Sequence, residues 1–381
     1  MSERRNDLDW LRVLAVLLLI YFHSARIFDF DRFYVKNEPQ SFGLAALVKF
    51  LSQWHMPLFF LVSGAATFYA LGFRRAGAYL KERFFRLFVP FVFGLAVIIP
   101  PQGYYTLLRN PGFHRSYLRF LPAFFQIDPA TAGGYRGTFE WGHLWFILYL
   151  FTFSLLALPL LLYLRGPGGR RWVSKLAGLT GHSLGIFLFF PPLALIEAAL
   201  RPGWPGFPNL YNDWANFCSF LAYFLFGYLL CADDRFSRAI DRGLKPALAI
   251  ALLCFAALYY IFSRRLDPPL AYSPGFTALA ALGALHSWAW IVTLLGLGRK
   301  YLNFSNSFLN YANQAAYPFY VLHQTVIVII GFYVVKWPLG VPLKYLVITT
   351  ASLLGSILIY DLFVKRLNPI RLLFGMKIMK D

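Results

Sequence analysis

Residues 9–23 read DWLRVLAVLLLIYFH, and this stretch decides the class of fold. Ten residues without a formal charge separate Arg12 from His23, within an apolar segment long enough to cross a bilayer. The acidic flank formed by Asp7 and Asp9, and the lack of a small-residue cleavage site, are not those of a secretory signal peptide. The segment is therefore predicted to remain in the chain as a transmembrane helix.

The composition extends this conclusion to all 381 residues. Hydrophobic residues make up 59% of the chain and charged residues only 14%, whereas soluble domains contain about 25% charged residues. So few charges cannot cover the surfaces of two or three soluble domains, which the length alone would allow. The chain is predicted to be a membrane protein.

Ten apolar segments approach or exceed the roughly 20 residues that a helix needs to span the hydrocarbon core. They cover residues 11–28, 44–72, 85–101, 143–164, 178–200, 215–232, 246–263, 276–296, 310–335 and 342–364. The second and ninth are long enough to tilt, bend or break, with Pro57 and Pro318 as the predicted places. We therefore expect an all-α polytopic membrane protein of about ten transmembrane helices, forming a single domain over residues 1–381 without an appended soluble domain.

The distribution of positive charge orients these helices. Of the 36 lysines and arginines, 23 lie on alternate connections beginning at the N-terminus, and 13 lie on the others. An excess of positive residues marks the cytoplasmic side, so both termini are predicted to be cytoplasmic. In a soluble protein the net charge of +19 would suggest a nucleic-acid partner. Here the charges form short clusters between long apolar segments, which indicates membrane topology and no nucleic-acid partner.

No metal site is predicted. Cys218, Cys231 and Cys254 lie in or beside apolar segments, without the spacing of metal ligands or of a disulfide framework. No histidine in an apolar segment has a carboxylate or a second histidine at ligand spacing within the same span.

Three polar residues of the first span share one face. Arg12 and His23 are separated by a rotation only about 20° past three full turns, with an axial distance of roughly 16 Å. Asp9 precedes Arg12 by three residues, within reach of a salt bridge. Ionisable groups inside a membrane are costly, so this stripe is a candidate functional site. The alternative is that Arg12 reaches the headgroups and His23 is a structural histidine.

The start of the third span carries a basic cluster, KERFFR at residues 81–86. Arg83 and Arg86 form an i, i+3 pair on one helical face, and paired guanidinium groups suit phosphate. The alternative is anchoring by the positive-inside rule together with binding of anionic lipid.

Five further polar residues lie in or beside apolar segments. His55, His143 and His323 are each compatible with a structural role or with a role in catalysis. Glu140 precedes His143 by three residues and could orient it. Glu197 is a lone intramembrane carboxylate that could contact substrate or pair with a histidine.

Together these motifs resemble the acyltransferase type three family of integral membrane proteins. The family's arginine, ten intervening residues and histidine match Arg12 and His23. Its Arg-x-x-Arg pair at the start of the third span matches Arg83 and Arg86. The ten spans and the cytoplasmic termini also agree with the family.

Several segments resemble the glucan biosynthesis protein C branch of that family, whose members succinylate periplasmic glucans. They are MPLFFLVSG at 56–64, HLWFIL at 143–148, YPFYVLHQ at 317–324 and LLFG at 372–375. Gln324 stands where some relatives carry a second histidine, so that position is not treated as essential.

The resemblance implies a membrane-bound O-acyltransferase of the bacterial inner membrane. The donor would be a cytoplasmic acyl-CoA, succinyl-CoA or acetyl-CoA, and the acceptor a hydroxyl of a periplasmic or cell-envelope glycan. Arg83, Arg86 and Arg12 would hold the donor, with Asp9 paired to Arg12, and His23 would act as general base or as acyl carrier. The candidate substrate contacts are His143, Glu140, His323, His55 and Glu197.

A secondary transporter or flippase for an anionic or glycan substrate is the alternative. Ten spans, a helix broken at Pro318 and intramembrane histidines are compatible with one. The sequence shows no inverted repeat and no paired broken segments in its two halves, and it offers few intramembrane carboxylates besides Glu197. The acyltransferase is therefore the favoured interpretation.

Overall fold

The computed structural model of the protein describes residues 5–127, 134–182 and 184–379. Within these ranges the regular secondary structure is helical, without a β-strand, which confirms the predicted all-α polytopic class. The helices are α1 (Asn6–Ala25), α2 (Phe42–Ser52), α3 (His55–Phe73), α4 (Ala76–Leu107), α5 (Tyr117–Phe124), α6 (Trp145–Leu156), α7 (Leu158–Arg165), α8 (Pro167–Leu179), α9 (Phe190–Leu200), α10 (Trp214–Ala232), α11 (Asp234–Ser263), α12 (Pro274–Tyr301), α13 (Ser307–Val334), α14 (Val341–Val364) and α15 (Asn368–Leu373).

Eight helical stretches of the described chain are long and apolar enough to cross a membrane, and they match eight of the ten predicted spans. The predicted fourth span is a bent pair, because α6 and α7 meet at an angle of 50°. The predicted fifth span is shorter than expected and covers Gly185–Leu200. Its expected first residues instead end α8, a helix that carries Arg170, Arg171 and Lys175 and is too polar to enter a bilayer core.

The predicted second span breaks, although not at its proline. The two residues between Ser52 and His55 separate α2 from α3. Pro57 falls in the first turn of α3, where its missing N–H removes no helical hydrogen bond. In the ninth span, α13 continues as one helix through Pro318.

The described chain forms two compact units that are interleaved along the sequence. The first unit comprises the described residues of 1–15, 50–81 and 152–309, and the second comprises those of 16–49, 82–151 and 310–381. Each unit therefore draws on three separate parts of the chain, and α1 contributes to both.

In the first unit, α3 and α10 pack with their backbones in close contact. A Cβ atom at Gly64 would lie 1.8 Å from the carbonyl oxygen of Phe224. One at Gly227 would lie 1.8 Å from the carbonyl oxygen of Leu61. Small residues that let two backbones approach are typical of transmembrane helix contacts. The two glycines therefore set the distance between these helices.

In the second unit, α13 is the most enclosed of the candidate spans. In its apolar part 72% of the residues are buried, against 17% for α11 in the first unit. α11 accordingly exposes leucines such as Leu252 and Leu253, as a lipid-facing helix does. An enclosed helix presents its polar groups to protein rather than to lipid, and this makes α13 suited to carry a functional site.

An ion cluster fixes the connection between α1 and α2 in the second unit. Asp29 is 1% exposed and accepts hydrogen bonds from Arg26 at 2.5 Å and from Lys36 at 2.7 Å. Burial raises the pKa of Asp29, against the opposing effect of the two cations. Lys36 also donates to the carbonyl oxygens of Arg26 and Asp29. The cluster holds the loop that supplies Phe33 and Tyr34 to the site described below.

Replacing Gly64 by alanine should destabilise the protein, because a backbone carbonyl cannot move aside as a flexible side chain can. We expect a cost of about 1–3 kcal/mol, typical of overpacking, measured as a lower melting temperature in detergent. Gly77→Ala is the matched control, since a Cβ atom there meets nothing within 4 Å. Equal melting temperatures for the two variants would contradict the backbone contact.

Candidate functional site

Three of the predicted histidines meet in the second unit. His23 lies near the end of α1, His143 in the 3-10 turn before α6, and His323 in α13. The ring centroid of His323 is 5.1 Å from that of His23 and 5.1 Å from that of His143. Residues from three distant parts of the chain thus form one cluster, which the spacing within a single span could not reveal.

His143 is held at both of its ring nitrogens. Nε2 lies 3.0 Å from the carbonyl oxygen of Val321, which can only accept, so Nε2 carries the proton. Nδ1 then accepts from the side-chain amide of Gln102 at 3.4 Å. The side chain is buried. His143 is therefore arranged to position its neighbours rather than to take up a proton.

His323 adopts the opposite tautomer. Its Nδ1 lies 2.6 Å from the carbonyl oxygen of Tyr320, so Nδ1 is the donor. In the neutral ring Nε2 then carries the lone pair. The side chain is fully buried. With its lone pair on Nε2, the ring of His323 can accept a proton, and it lies beside the ring of His23.

His23 is the accessible member of the cluster. Its side chain is partly exposed, whereas His143 and His323 are buried. Phe33 stacks on its ring with centroids 6.1 Å apart, and Phe22 meets it edge-on at 5.0 Å. A reacting group needs space for its substrate, and His23 is the one of these three histidines whose side chain is accessible.

A buried polar network joins α4 to α13 next to the histidines. Gln102 donates to the hydroxyl of Thr325 at 2.7 Å and accepts from Gln324 at 2.8 Å. Thr325 donates in turn to the carbonyl oxygen of Ile98, in a π-helical segment of α4. Gln102 is not among the residues predicted from the sequence, although an amide at the end of an apolar segment is the signal that identifies such a residue.

Aromatic rings surround His23 on the side of the connection between α1 and α2. The ring centroids of Tyr34 and Tyr135 are 4.7 Å apart, and those of Phe33 and Tyr135 are 5.5 Å apart. Arg26 lies over the ring of Phe33 at 5.7 Å. These rings form a wall with apolar faces and hydroxyl groups beside the accessible histidine.

Glu140 is a buried carboxyl group beside this wall. It is 6% exposed, and its Oε2 accepts from the backbone N–H of Tyr135 at 3.3 Å. Burial raises the pKa of Glu140 to about 7, against the opposing effects of the Tyr34 hydroxyl and the Tyr135 amide. Glu140 does not orient His143, as its spacing suggested, because both ring nitrogens of His143 have other partners.

The predicted arginine pair also lies in the second unit. Arg83 ends the α-helical start of α4, and Arg86 lies in the π-helical segment Phe84–Phe88 that follows. Arg86 is half exposed and donates to Glu82 at 3.3 Å. A π-helical turn displaces side chains from the i, i+3 face of a regular α-helix, and such turns are frequent at functional sites.

Tyr317 links the arginine pair to the histidine cluster. Its buried hydroxyl lies within electrostatic range of both guanidinium groups, and it has no hydrogen-bond partner among the residues that the structure describes. Its ring stacks on Tyr320 with centroids 6.5 Å apart, and Tyr320 is 5.8 Å from His323. An unsatisfied buried hydroxyl is costly, so this one is a candidate contact for a bound ligand.

The C-terminal motif LLFG supports the same region. Gly375 has a φ of +66°, a backbone conformation that favours glycine. A Cβ atom there would lie 2.7 Å from the carbonyl oxygen of Arg86 and 2.8 Å from the ring of Tyr317. The motif therefore packs directly against the arginine segment and against the tyrosine beside it.

Two of the predicted sites lie in the first unit. Arg12 donates to Asp9 at 2.9 Å, which confirms the predicted salt bridge. The Nε2 of His55 lies 2.7 Å from the carbonyl oxygen of Ala15, so His55 donates to it and ties the start of α3 to α1. His55 is buried, which agrees with the structural interpretation.

Glu197, also in the first unit, is not a lone carboxylate. Arg201 donates to both of its oxygens at 2.8 and 2.9 Å, and Ser219 donates to one of them at 2.6 Å. The signal was present in the sequence, because Arg201 follows at the i, i+4 spacing of a helical ion pair. These bonds satisfy the carboxylate within the protein, and its role as a substrate contact stays a prediction.

The part of the chain that the structure describes contains no group of three or more histidine, cysteine, aspartate or glutamate side chains that could hold a metal ion. In the histidine cluster, Nε2 of His143 and Nδ1 of His323 are protonated and donate to carbonyl oxygens. The groups that the cluster and its surroundings offer to a substrate include imidazole, hydroxyl, amide, guanidinium and the carboxyl group of Glu140.

Comparison with known proteins identifies relatives over most of the chain. Residues 5–361 match the family model described as "Acyltransferase domain". The chain is also similar to glucans biosynthesis protein C of Shigella dysenteriae serotype 1 and of Escherichia coli K12. Each is 22% identical over 345 residues, which cover 87% of this chain and 84% of the relative. No solved structure matches the chain significantly.

The raised pKa of Glu140 predicts how stability depends on pH. The folded protein keeps this proton up to about pH 7, whereas the unfolded chain releases it near the ordinary value of 4.5. Between these values the folded state binds more protons, so the stability that this group contributes is present at acid pH and is lost as the pH rises to about 7. The free energy of unfolding should fall by about 3 kcal/mol in total as the pH rises through this range.

Glu140→Gln removes this titration because glutamine stays uncharged. We expect the variant to melt at a higher temperature than the wild type at pH 8 in detergent, and the difference to shrink or reverse at pH 5. A parallel response of the two proteins between pH 5 and pH 8 would show that Glu140 is not the group responsible.

Proposed function

The chain belongs to the acyltransferase domain family, and on this premise we propose that it transfers an acyl group from acyl-CoA to a hydroxyl of a glycan. The observation that carries the proposal is the cluster of His23, His143 and His323. One partly exposed imidazole is supported there by two buried ones whose tautomers are fixed. Such an arrangement suits proton transfer at a reacting hydroxyl.

We place the donor and the acceptor on opposite sides of the bacterial inner membrane. The excess of lysine and arginine beside both termini supports a cytoplasmic location for them and for Arg83 and Arg86. Acyl-CoA is a cytoplasmic metabolite, so the thioester has to reach His23 from that side. The glycan would reach His23 from the periplasmic side.

In direct transfer, His23 accepts the proton of the acceptor hydroxyl as its oxygen attacks the thioester carbonyl. The tetrahedral intermediate then collapses, the carbon–sulfur bond breaks, and the imidazolium returns the proton to the CoA thiolate. The products are an O-acyl ester and CoA. Imidazole suits both steps because it takes up and releases a proton near neutral pH.

In the covalent alternative, His23 itself attacks the thioester, and the proton of the acylated ring passes to the departing thiolate. The acceptor oxygen then attacks the acyl carbon, the carbon–nitrogen bond to His23 breaks, and the proton of the acceptor hydroxyl passes through a base to the departing ring nitrogen. His323 would serve as the base in this second step, because its Nε2 carries the lone pair and its ring lies 5.1 Å from that of His23. Both routes require His23 and yield the same products.

The phosphates of CoA would bind to Arg83 and Arg86, since guanidinium groups recognise phosphate through paired hydrogen bonds. Tyr317 supports this assignment, because its buried hydroxyl lies near both guanidinium groups and its ring leads through Tyr320 to the histidines. The role of Arg12 and Asp9 in lining the path of the donor stays a prediction.

The aromatic wall formed by Phe33, Tyr34 and Tyr135 would bind the acceptor. Aromatic faces stack on the apolar faces of sugar rings, and the tyrosine hydroxyls supply hydrogen-bond partners. The similarity to glucans biosynthesis protein C supports a periplasmic glucan as the acceptor. On the same ground we propose succinyl as the acyl group.

The test is transfer of radiolabel from succinyl-CoA and from acetyl-CoA to a cell-envelope glycan fraction by the purified protein in liposomes. We expect label in the glycan with the wild type and a loss of at least a hundredfold with His23→Ala, as for removal of a general base. The melting temperature of His23→Ala should stay close to that of the wild type, because this side chain is partly exposed.

His55→Ala is the matched control, because this histidine lies in the first unit and donates to a backbone carbonyl. It should lose stability and keep transfer activity per folded molecule. Label that persists with His23→Ala would remove the catalytic assignment. Absence of label with either donor, together with absence of a CoA-dependent thermal shift, would favour a transporter instead.

Tyr317→Phe tests the donor site independently. The substitution removes a hydroxyl that has no partner within the described protein, so we expect no loss of melting temperature without donor. The KM for acyl-CoA should rise about two- to tenfold, the value of one hydrogen bond, with kcat unchanged. Tyr311→Phe is the control, because its hydroxyl donates to Asp361. Equal KM values for Tyr317→Phe and the wild type would contradict the assignment.

A further inference from the structure

The first unit contains a cavity of about 890 Å³ that the acyl-transfer proposal does not use. Its walls are formed by the ends of α3, α7 and α10 and by the start of α8. All of its lining residues belong to the first unit, whereas the histidines and the arginine pair belong to the second.

One part of the cavity is apolar and open. Phe68, Leu164 and Val173 supply apolar surface, and Phe73 is 73% exposed. A Cβ atom at Gly72 would meet nothing within 4 Å, so the space beside this glycine is empty of protein. An open apolar wall on a membrane protein fits an acyl chain better than it fits a water-soluble ligand.

The other part of the cavity is cationic. Arg165 and Arg170 line it, and within the described chain neither guanidinium group forms an ion pair with a carboxylate. Arg170 donates through Nε to the carbonyl oxygen of Arg165 at 2.8 Å, which leaves its terminal nitrogens for another acceptor. The cavity therefore offers two positive charges to a ligand.

The carboxylate in the lining does not cancel these charges. Asp233 accepts from Arg235 at 3.0 and 2.8 Å, and this guanidinium holds the pKa of Asp233 below its ordinary value. Asp233 is thus committed to a third arginine. An anion entering the cavity meets two uncompensated guanidinium groups beside an apolar wall.

We propose that this cavity binds one molecule of an anionic phospholipid. Arg165 and Arg170 hold its phosphate, and an acyl chain lies against Phe68, Leu164 and the open space at Gly72. Tyr163 and Trp172, which are 54% and 67% exposed, lie within two residues of the arginines along the chain, and exposed aromatic residues are typical of the headgroup level of a bilayer. The lipid would hold the ends of α3, α7 and α10 together.

CoA also carries phosphate groups that suit the two arginines. The other residues that line the cavity distinguish CoA from a phospholipid. The adenine and pantetheine parts of CoA need hydrogen-bond partners along their length. Beyond the two arginines the lining is mainly aromatic and aliphatic. Of its polar groups, the Tyr228 hydroxyl already donates to the carbonyl oxygen of Leu161, and Asp233 is paired with Arg235. The cavity therefore suits a phospholipid better than CoA, and binding of CoA is measured beside that of the lipid.

The experiment measures binding of phosphatidylglycerol, phosphatidylcholine and CoA to the full chain in neutral detergent, by native mass spectrometry and thermal shift. We expect one bound phosphatidylglycerol and no comparable phosphatidylcholine. The double variant Arg165→Gln/Arg170→Gln should weaken phosphatidylglycerol binding at least tenfold. Arg171→Gln/Lys175→Gln removes the same charge from exposed positions of α8 outside the cavity and should bind as the wild type does.

A second pair of variants tests the apolar part without changing charge. Gly72→Leu fills the open space and should abolish lipid binding while the lipid-free protein keeps its melting temperature. Gly77→Leu, where a Cβ atom also meets nothing within 4 Å and which lies outside the cavity, should bind normally.

Three results would overturn the proposal. The first is equal binding by the arginine variants and the wild type. The second is lipid binding that Gly72→Leu leaves unchanged. The third is CoA that displaces phosphatidylglycerol and loses its own binding in Arg165→Gln/Arg170→Gln, which would assign the cavity to the donor.

Discussion

Two hydrogen bonds from imidazole N–H groups to carbonyl oxygens of α13 determine what the candidate site can do. A carbonyl oxygen has two lone pairs. The carbonyl groups of Tyr320 and Val321 can therefore each accept one hydrogen bond within the helix and a second one from an imidazole N–H. Each bond fixes a tautomer, which directs the lone pair of His323 to Nε2 and that of His143 to Nδ1. Because α13 is so enclosed, these bonds lie in a medium of low dielectric constant, where they are strong. His23 is left as the accessible imidazole.

The same helix connects the two functional parts of the second unit. Tyr317 faces the arginine pair one turn before Tyr320, whose ring lies beside the histidines. The proposed phosphate contact at Tyr317 and the position of an imidazole therefore depend on one rigid element, and about a turn of helix separates them. Gly375 packs at the arginine end of this element, which gives a structural reason for the LLFG motif.

Local features of this site could be predicted from the sequence, and tertiary ones could not. The salt bridge between Asp9 and Arg12 follows from a spacing of three residues on one helix, and the ion pair of Glu197 and Arg201 could have been found from a spacing of four. The histidine cluster joins three distant segments, so no periodicity encodes it. The tautomers depend on which backbone carbonyl group each ring contacts. In His143 the carbonyl oxygen of Val321, rather than a nearby carboxylate, determines which ring nitrogen carries the proton.

The interleaved connectivity has a consequence for biogenesis. His23 and Arg83 are synthesised early, but His323 and Gly375 belong to the last stretch of the second unit. That stretch leaves the ribosome only after residues 152–309, whose described part belongs wholly to the first unit. Since domains generally fold in the order in which they are synthesised, the first unit can close while the second still lacks α13. A nascent chain stalled before residue 320 thus contains the histidine of the first span but neither of the carbonyl groups, those of Tyr320 and Val321, that organise its surroundings.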